Sequence, residues 1–344
     1  MRSFRRLLLA ILAAFVALFL FLASCGDDAA DRPAKATTPA LPFPPTAFEP
    51  ATSRGGGPTP EGRVVRIGGR PEGVAIDPAT GTLAVALGAD GTELGLFDAQ
   101  SLQLRSKVRL PAGARHVSFG AGRFLVPMED ADQLAQVAPS GGEAELTDVG
   151  DGPHDATAAD GQLFVGDEFG GTVSVLRDGK LRTTMPVDVQ PGGIVDVGDG
   201  KVAIISVRAY TVELLDTQTL RTSGSQNAGY GPSHAVATTD GRVLVADTRG
   251  GAVLVYETRP RLKFIQRLAT GGSPYGLAID QRRNRLWVTD SGADRVLEVD
   301  TAGELREVAE YPTVRQPNSV AVDERSGAAV VVGQAGGELQ RIGD

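Results

Sequence analysis

The chain has 344 residues, a formal charge of −8, three histidines and a single cysteine. One cysteine excludes an internal disulfide. The surplus of acidic groups argues against a nucleic-acid partner, whose phosphates it would repel.

The first residues, "MRSFRR", are short and basic and lead into "LLLAILAAFVALFLFLASC". A basic start, an apolar stretch and a small-residue end read as a secretory signal peptide over residues 1–25. The apolar stretch is nearly long enough to span a membrane, so an uncleaved anchor is the alternative. The ending Leu22-Ala23-Ser24-Cys25 argues against it, because it resembles the bacterial lipobox, in which the cysteine is acylated and becomes the new N-terminus. That resemblance implies lipidation at Cys25 and an extracytoplasmic, membrane-anchored protein. Loss of Arg2, Arg5 and Arg6 with the leader would leave the remainder more acidic still. Residues 26–60 are rich in Ala, Pro, Thr and Gly and poor in large apolar residues, so they are expected to be a disordered tether.

From residue 61 to 344 the chain turns to Val, Leu, Gly and Asp, and one unit recurs seven times. Its opening corner reads "RPEGVAID" at Arg70, "GARHVSFG" at Gly113, "GPHDATAAD" at Gly152, "QPGGIVDV" at Gln190, "GPSHAVATTD" at Gly231, "SPYGLAID" at Ser273 and "QPNSVAVD" at Gln316. The corners stand about 40 residues apart. A second apolar run follows each corner ("TLAVAL", "RVLVAD", "RLWVTD"), then a third ("ELGLFD", "AVLVYE", "RVLEVD"), and a less regular fourth. Gly and Asp at the joints and β-favouring residues in the runs predict four short strands per unit. Seven such units predict an all-β, seven-bladed β-propeller. The seventh unit ends on its third run, "ELQRIGD", and the missing strand stands at the other end as "GRVVRIGG" from Gly62. The N-terminal strand is therefore expected to complete the last blade, which removes two unpaired edges.

The sixth unit, "GGSPYGLAIDQRRNRLWVTDSGADRVLEVD", resembles the NHL and YVTN types of repeat, and the fifth and third units follow with gaps. The resemblance implies the fold. It implies little about chemistry, since such propellers serve many. WD40 repeats are a poorer fit, because Trp287 is the only tryptophan.

The corners also carry the candidate site. The first residue after the proline position is Glu72, Arg115, His154, Gly192, Ser233, Tyr275 or Asn318; the second is Gly73, His116, Asp155, Gly193, His234, Gly276 or Ser319. All three histidines fall in these two columns. In a propeller the corner ends at the mouth of the central channel, so seven corners converge on one ring. His116, His154 and His234 with Asp155 and Glu72 would then crowd one funnel. Imidazoles with a carboxylate form a usual ligand set for zinc or another divalent metal, and the same groups can move protons near neutral pH. Arg115, Tyr275 and Asn318 could orient an anion or carbonyl. Blades two, three and five are not all neighbours, so His116, His154 and His234 share a metal only if the mouth is narrow. Asp167, Asp247 and Asp290, which close second strands, are read as caps of backbone amides.

Two functions fit this reading. The first is an extracytoplasmic, lipid-anchored propeller, expected to be monomeric, that binds a small molecule, a peptide or an envelope protein at the channel mouth. The second is a metal-assisted lyase or lactone or ester hydrolase with one divalent metal on His116, His154 and His234. Here Asp155 or Glu72 is the base and Tyr275 or Arg115 steadies charge. It resembles, in fold and channel histidines, the streptogramin lyases and the peptidyl-hydroxyglycine lyases. The Trp-Phe-Thr-type strands associated with streptogramin lyases are missing. A scaffold with no ligand is the remaining possibility.

Overall fold

The computed structural model describes residues 49–87 and 91–343. Cys25 and residues 26–48 of the stretch read as a tether lie outside the described residues. Among the described residues, no helix is long and apolar enough to cross a membrane.

Apart from one 3-10 turn at Glu129–Ala131, the regular structure described is strand. The strands form seven four-stranded antiparallel sheets, six of them in plain sequence order. Blade five shows why these runs fold so. Its second and third strands, Arg242–Asp247 and Ala252–Glu257, are almost wholly buried. Neighbouring blades cover both of their faces, so the sequence is a continuous apolar run rather than an alternating one. The fourth strand, Lys263–Ala269, is the outer edge and is mostly exposed. Lys263, Gln266 and Arg267 break up its apolar residues, among them the exposed Phe264 and Ile265, and help to keep the edge from recruiting other strands.

Seven hydrophobic clusters hold the blades together, one at each junction. Leu94 and Leu96 of blade one pack with Phe124 and Val126 of blade two. The pattern continues through the clusters of Val165 with Leu125, Val173 with Ile204, Ile205 with Val245, Val255 with Val288, and Val296 with Val331. The seventh cluster joins Leu83 and Val85 of blade one to Val330 and Val332 of blade seven, so the ring is closed. Each fully buried side chain of this size contributes about 1.5–3 kcal/mol, and the seven junctions share the load.

The expected staple is present. Arg63–Arg66 pairs antiparallel with Glu338–Ile342 and gives blade seven its fourth strand. Gln340, fully buried, donates to the carbonyls of Glu61 and Pro312 at 2.7 and 2.9 Å. Gly62 enters the strand at φ +76°, and a Cβ there would lie 2.2 Å from the Arg341 carbonyl oxygen, so the seam needs glycine at this position.

The corners decide what reaches the channel. The register of the inner strand slips between Pro153 and Asp155, Pro191 and Gly193, Pro232 and Ala235, Pro274 and Leu277, and Pro317 and Ser319. A bulge leaves residues out of the ladder and re-aims their side chains. The residues freed in this way include His154, His234, Tyr275 and Asn318, which are column residues of the sequence reading.

Residues 49–60 belong to the stretch read as a tether. They have no regular secondary structure, yet they are held against the propeller. Ser53 is 8% exposed; its amide donates to Gln316 Oε1 at 2.7 Å and its hydroxyl to Asp294 Oδ2 at 2.6 Å. Gln316 Nε2 donates in turn to the Ala51 carbonyl at 2.9 Å. Hydrogen bonds to residues far along the chain, rather than apolar burial, order this segment.

Candidate functional site at the channel mouth

The three histidines meet. The ring of His116 lies 4.2 Å from that of His154 and 4.8 Å from that of His234, centroid to centroid. Tyr275 extends the row, edge-on to His234 at 4.5 Å. The row therefore runs from blade three through blades two and five to blade six. The mouth is narrow enough for side chains from non-neighbouring blades to touch.

The three imidazoles are not equivalent. His154 Nδ1 faces two carboxylates, Glu129 Oε1 at 2.5 Å and Glu168 Oε2 at 2.9 Å. Burial opposes charge on His154, but Glu168 and Glu129 overcome it and lift its pKa to about 10. It is a clamped imidazolium at neutral pH. Glu168 answers: burial would raise its carboxyl, and His154 pulls it below the ordinary value. His116 and His234 go the other way. Burial, and then the positive charge of His154, lower His116 well below 6.5 and His234 to about 3. Both are neutral. Nδ1 of His234 is buried without a hydrogen-bond partner among the described residues.

Glu129 and Glu168 escaped the sequence reading, although a signal exists. Each stands directly after the second strand of its blade, and a third column can be drawn there. It holds Glu129, Glu168, Val207, Thr248, Ser291 and Gln334. These residues face the corners. Thr248 donates to Ser233 Oγ at 2.8 Å, Ser291 to the Pro317 carbonyl at 3.1 Å, and Gln334 to Glu72. The ring of corners is thus backed by a second ring of second-strand ends.

The other predicted residues divide into two groups. Arg115 lies at the mouth, its guanidinium 2.8 Å from Glu49 and 3.5 Å from Glu72. Burial raises the Glu72 carboxyl pKa, and Arg115 restrains the rise. Burial pushes the Tyr275 phenol up, so it stays protonated. Asn318 is buried and accepts from Gln316 Nε2 at 3.0 Å. Asp155 turns away from the histidine row. Its carboxylate accepts the amides of Ala156 at 2.8 Å and Ile194 at 3.1 Å, tying blade three to blade four. Burial nevertheless raises it to about 6. The three strand-end aspartates cap as expected. Asp247 accepts the amides of Tyr230, Gly231 and Gly250, Asp167 that of Gly150, and Asp290 that of Ser273.

One small space adjoins the row, and a larger one lies outside it. Glu72, Arg115, His116, His234, Tyr275 and Asn318 border a cavity of about 10 Å³, room for about one water molecule. Outside it a cleft of about 1080 Å³ opens over Arg115, Glu72 and Glu129, with Glu49 and Ser53 on its rim. The only set of three His, Cys, Asp or Glu ligand atoms within 4.8 Å of one another, among the described residues, is Glu129, His154 and Glu168. Two carboxylates and an imidazole suit magnesium, manganese or zinc, and a cation there would take the place of the His154 proton.

No protein-family model and no curated protein matches the chain. The NHL- or YVTN-type reading therefore rests on the repeat residues quoted above. Solved structures do match in fold. A hydrazine synthase chain of Kuenenia stuttgartiensis superposes with a TM-score of 0.70 at 18% identity, covering 83% of this chain and 98% of that one. A streptogramin B lyase gives 0.68 at 12% identity, covering 81% and 96%. Virginiamycin B lyase from Staphylococcus aureus gives 0.68 at 12%, covering 82% and 98%. At such identities the likeness is one of fold: this chain is a seven-bladed β-propeller similar to these.

Proposed function

We propose that the protein is a membrane-anchored, extracytoplasmic propeller that binds a small molecule, peptide or envelope partner in the cleft at its channel mouth. One observation carries the binding reading: a wide cleft opens on the half-buried cation Arg115, which with Glu72 and Asn318 also borders the small cavity lined by His116, His234 and Tyr275. Concave sites with a few convergent polar groups and displaced pKa values are where proteins bind ligands. A thermal-shift panel of small carboxylates, amides, lactones and short peptides tests it. At least one compound should raise the melting temperature of the wild type and fail to do so for Arg115→Gln. A panel that moves neither protein, or both alike, refutes it. The anchor rests on the Leu22–Cys25 motif alone. Incorporation of a labelled fatty acid, abolished by Cys25→Ser, is the expected result.

A second reading, a metal-assisted lyase or hydrolase of a lactone, ester or peptide-like substrate, has its own support in the Glu129–His154–Glu168 set. A divalent cation held there would polarise a carbonyl or hydroxyl. His116, neutral and in ring contact with His154, would stand beside the site as a weak base. Elemental mass spectrometry distinguishes the readings. Near-stoichiometric metal, lost in a Glu129→Gln/Glu168→Gln variant, favours the enzyme. Metal-free protein that turns over no lactone or ester, even with added magnesium, manganese or zinc, excludes it.

A further inference from the structure

The segment before the propeller is placed where a ligand would go. Glu49–Ser53 runs along the rim of the cleft from blade two to blade seven. At one end the Glu49 carboxylate accepts from the Arg115 guanidinium at 2.8 Å. At the other end Ser53 is locked by Asp294 and Gln316, and Gln316 also holds the Ala51 carbonyl. The two ends differ in kind. The Ser53 end is buried and made of directional hydrogen bonds between side chains and backbone. The Glu49 end is a single ion pair, 34% exposed on the arginine side and 50% on the glutamate side. Exposed pairs of this sort contribute about 0–1 kcal/mol, so this end opens readily, and once it is open the Ser53 bonds hold the short segment alone and open more often by the same factor.

What it would uncover is specific. Arg115 turns Nε toward Glu72 and presents Nη2 to Glu49. Glu72 is itself held by Gln334 from blade seven and keeps a carboxylate on the Nε side of the guanidinium. An oriented guanidinium with a free Nη2 edge is a carboxylate receptor. The charge balance agrees. The cleft is lined by three arginines, Arg70, Arg115 and Arg315, and by four carboxylates, Glu49 among them. Withdrawal of Glu49 makes the numbers equal, and Glu129 is committed to His154.

We propose that Glu49 is an intrachain ligand. Its carboxylate occupies the position on Arg115 that the cleft offers to the carboxylate of an acidic ligand, so the segment and such a ligand exclude one another. This rests on the binding reading above and adds to it the chemical class of the ligand and a gate.

Amide hydrogen exchange over residues 49–55 tests the proposal without needing the natural ligand. The protein would carry the whole chain except residues 1–25. The probe is glutarate, with sodium chloride at matched ionic strength as control. Glutarate should speed exchange of the Ser53 amide in the wild type, in a saturable way that chloride does not reproduce. Glu49→Gln alone should speed it about threefold, the factor that corresponds to an exposed ion pair. In Arg115→Gln the exchange should start fast and ignore glutarate. Glu49→Gln is a surface change and keeps the test open if Arg115→Gln folds poorly. Unchanged wild-type exchange at saturating glutarate, an equal response in Arg115→Gln, or no effect of Glu49→Gln would each overturn the proposal. A neutral ligand found in the thermal-shift panel that leaves residues 49–55 protected would overturn it too, while leaving the binding reading intact.

Discussion

Glu168→Gln should bring the titration of His154 down toward neutrality. In the structure the imidazolium is held by Glu129 at 2.5 Å and Glu168 at 2.9 Å, in a place that burial would otherwise make hostile to charge. At an effective dielectric of about 20, opposite charges 2.9 Å apart attract by about 6 kcal/mol. Entry of water around the neutral amide would return about half of that. The remaining loss of about 3 kcal/mol lowers the His154 pKa by about 2 pH units. The wild-type residue, at about 10, is charged across the physiological range; the variant would titrate within reach of neutrality. Imidazole resonances in ¹H–¹⁵N NMR of metal-free protein measure this directly, with His154→Gln giving the assignment. A second effect should accompany it. His154 is the charge that, after burial, most depresses His116 and His234. Once His154 is neutral, both should become easier to protonate. A wild-type His154 that titrates near 6.5, or an unchanged value in Glu168→Gln, would refute the clamp.

Three further outcomes follow from the same geometry. Gly62→Ala places a Cβ against the Arg341 carbonyl in a left-handed backbone and should cost about 1–3 kcal/mol in urea unfolding; an unchanged midpoint would mean that the seam carries no load. Asp247→Ala strands the amides of Tyr230, Gly231 and Gly250, and a loss of about 2–4 kcal/mol is expected, whereas an exposed carboxylate such as Glu304 should be neutral when replaced. The pH dependence of stability should carry two opposed histidine contributions. His116 and His234 are held neutral, so their contribution is complete above about pH 6.5 and is lost as pH falls toward the folded value, about 3 for His234. His154 is held charged, so its contribution is complete below about pH 6.5 and disappears as pH rises through about 10. Melting curves of His234→Gln should be flatter than wild type on the acid side, and those of His154→Gln flatter on the alkaline side.

The repeat made the fold legible. Second strands such as "RVLVAD" and third strands such as "AVLVYE" are buried on both faces, and their unbroken apolar character is the direct signature of that burial. The closing seam was legible for the same reason, because seven units that lack one strand at the end and carry one spare at the start close in only one way. The site was legible only in part. Aligning corners by their prolines brought the three histidines into one ring, but the alignment hides a difference in the bulges. In blade three the ladder resumes at Asp155, opposite Gly166, and the Asp155 side chain turns to the blade-four backbone. In blade five it resumes only at Ala235, so His234, in the same column as Asp155, stays free to reach the channel. A bulge one residue longer is invisible in the sequence and reverses the fate of the side chain. Glu129 and Glu168 were missed because their partner lies at a corner rather than along their own strands, and only the closed ring brings the ends of second strands to face the corners. The Glu49–Ser53 segment was missed because composition reports apolar burial, and this segment is fixed by Gln316, Asp294 and Arg115 instead. Each of these failures sits at the channel mouth and none in the blades. The blades obey periodicity because packing is their only task; the mouth departs from it where side chains from different repeats have been brought together around one charge.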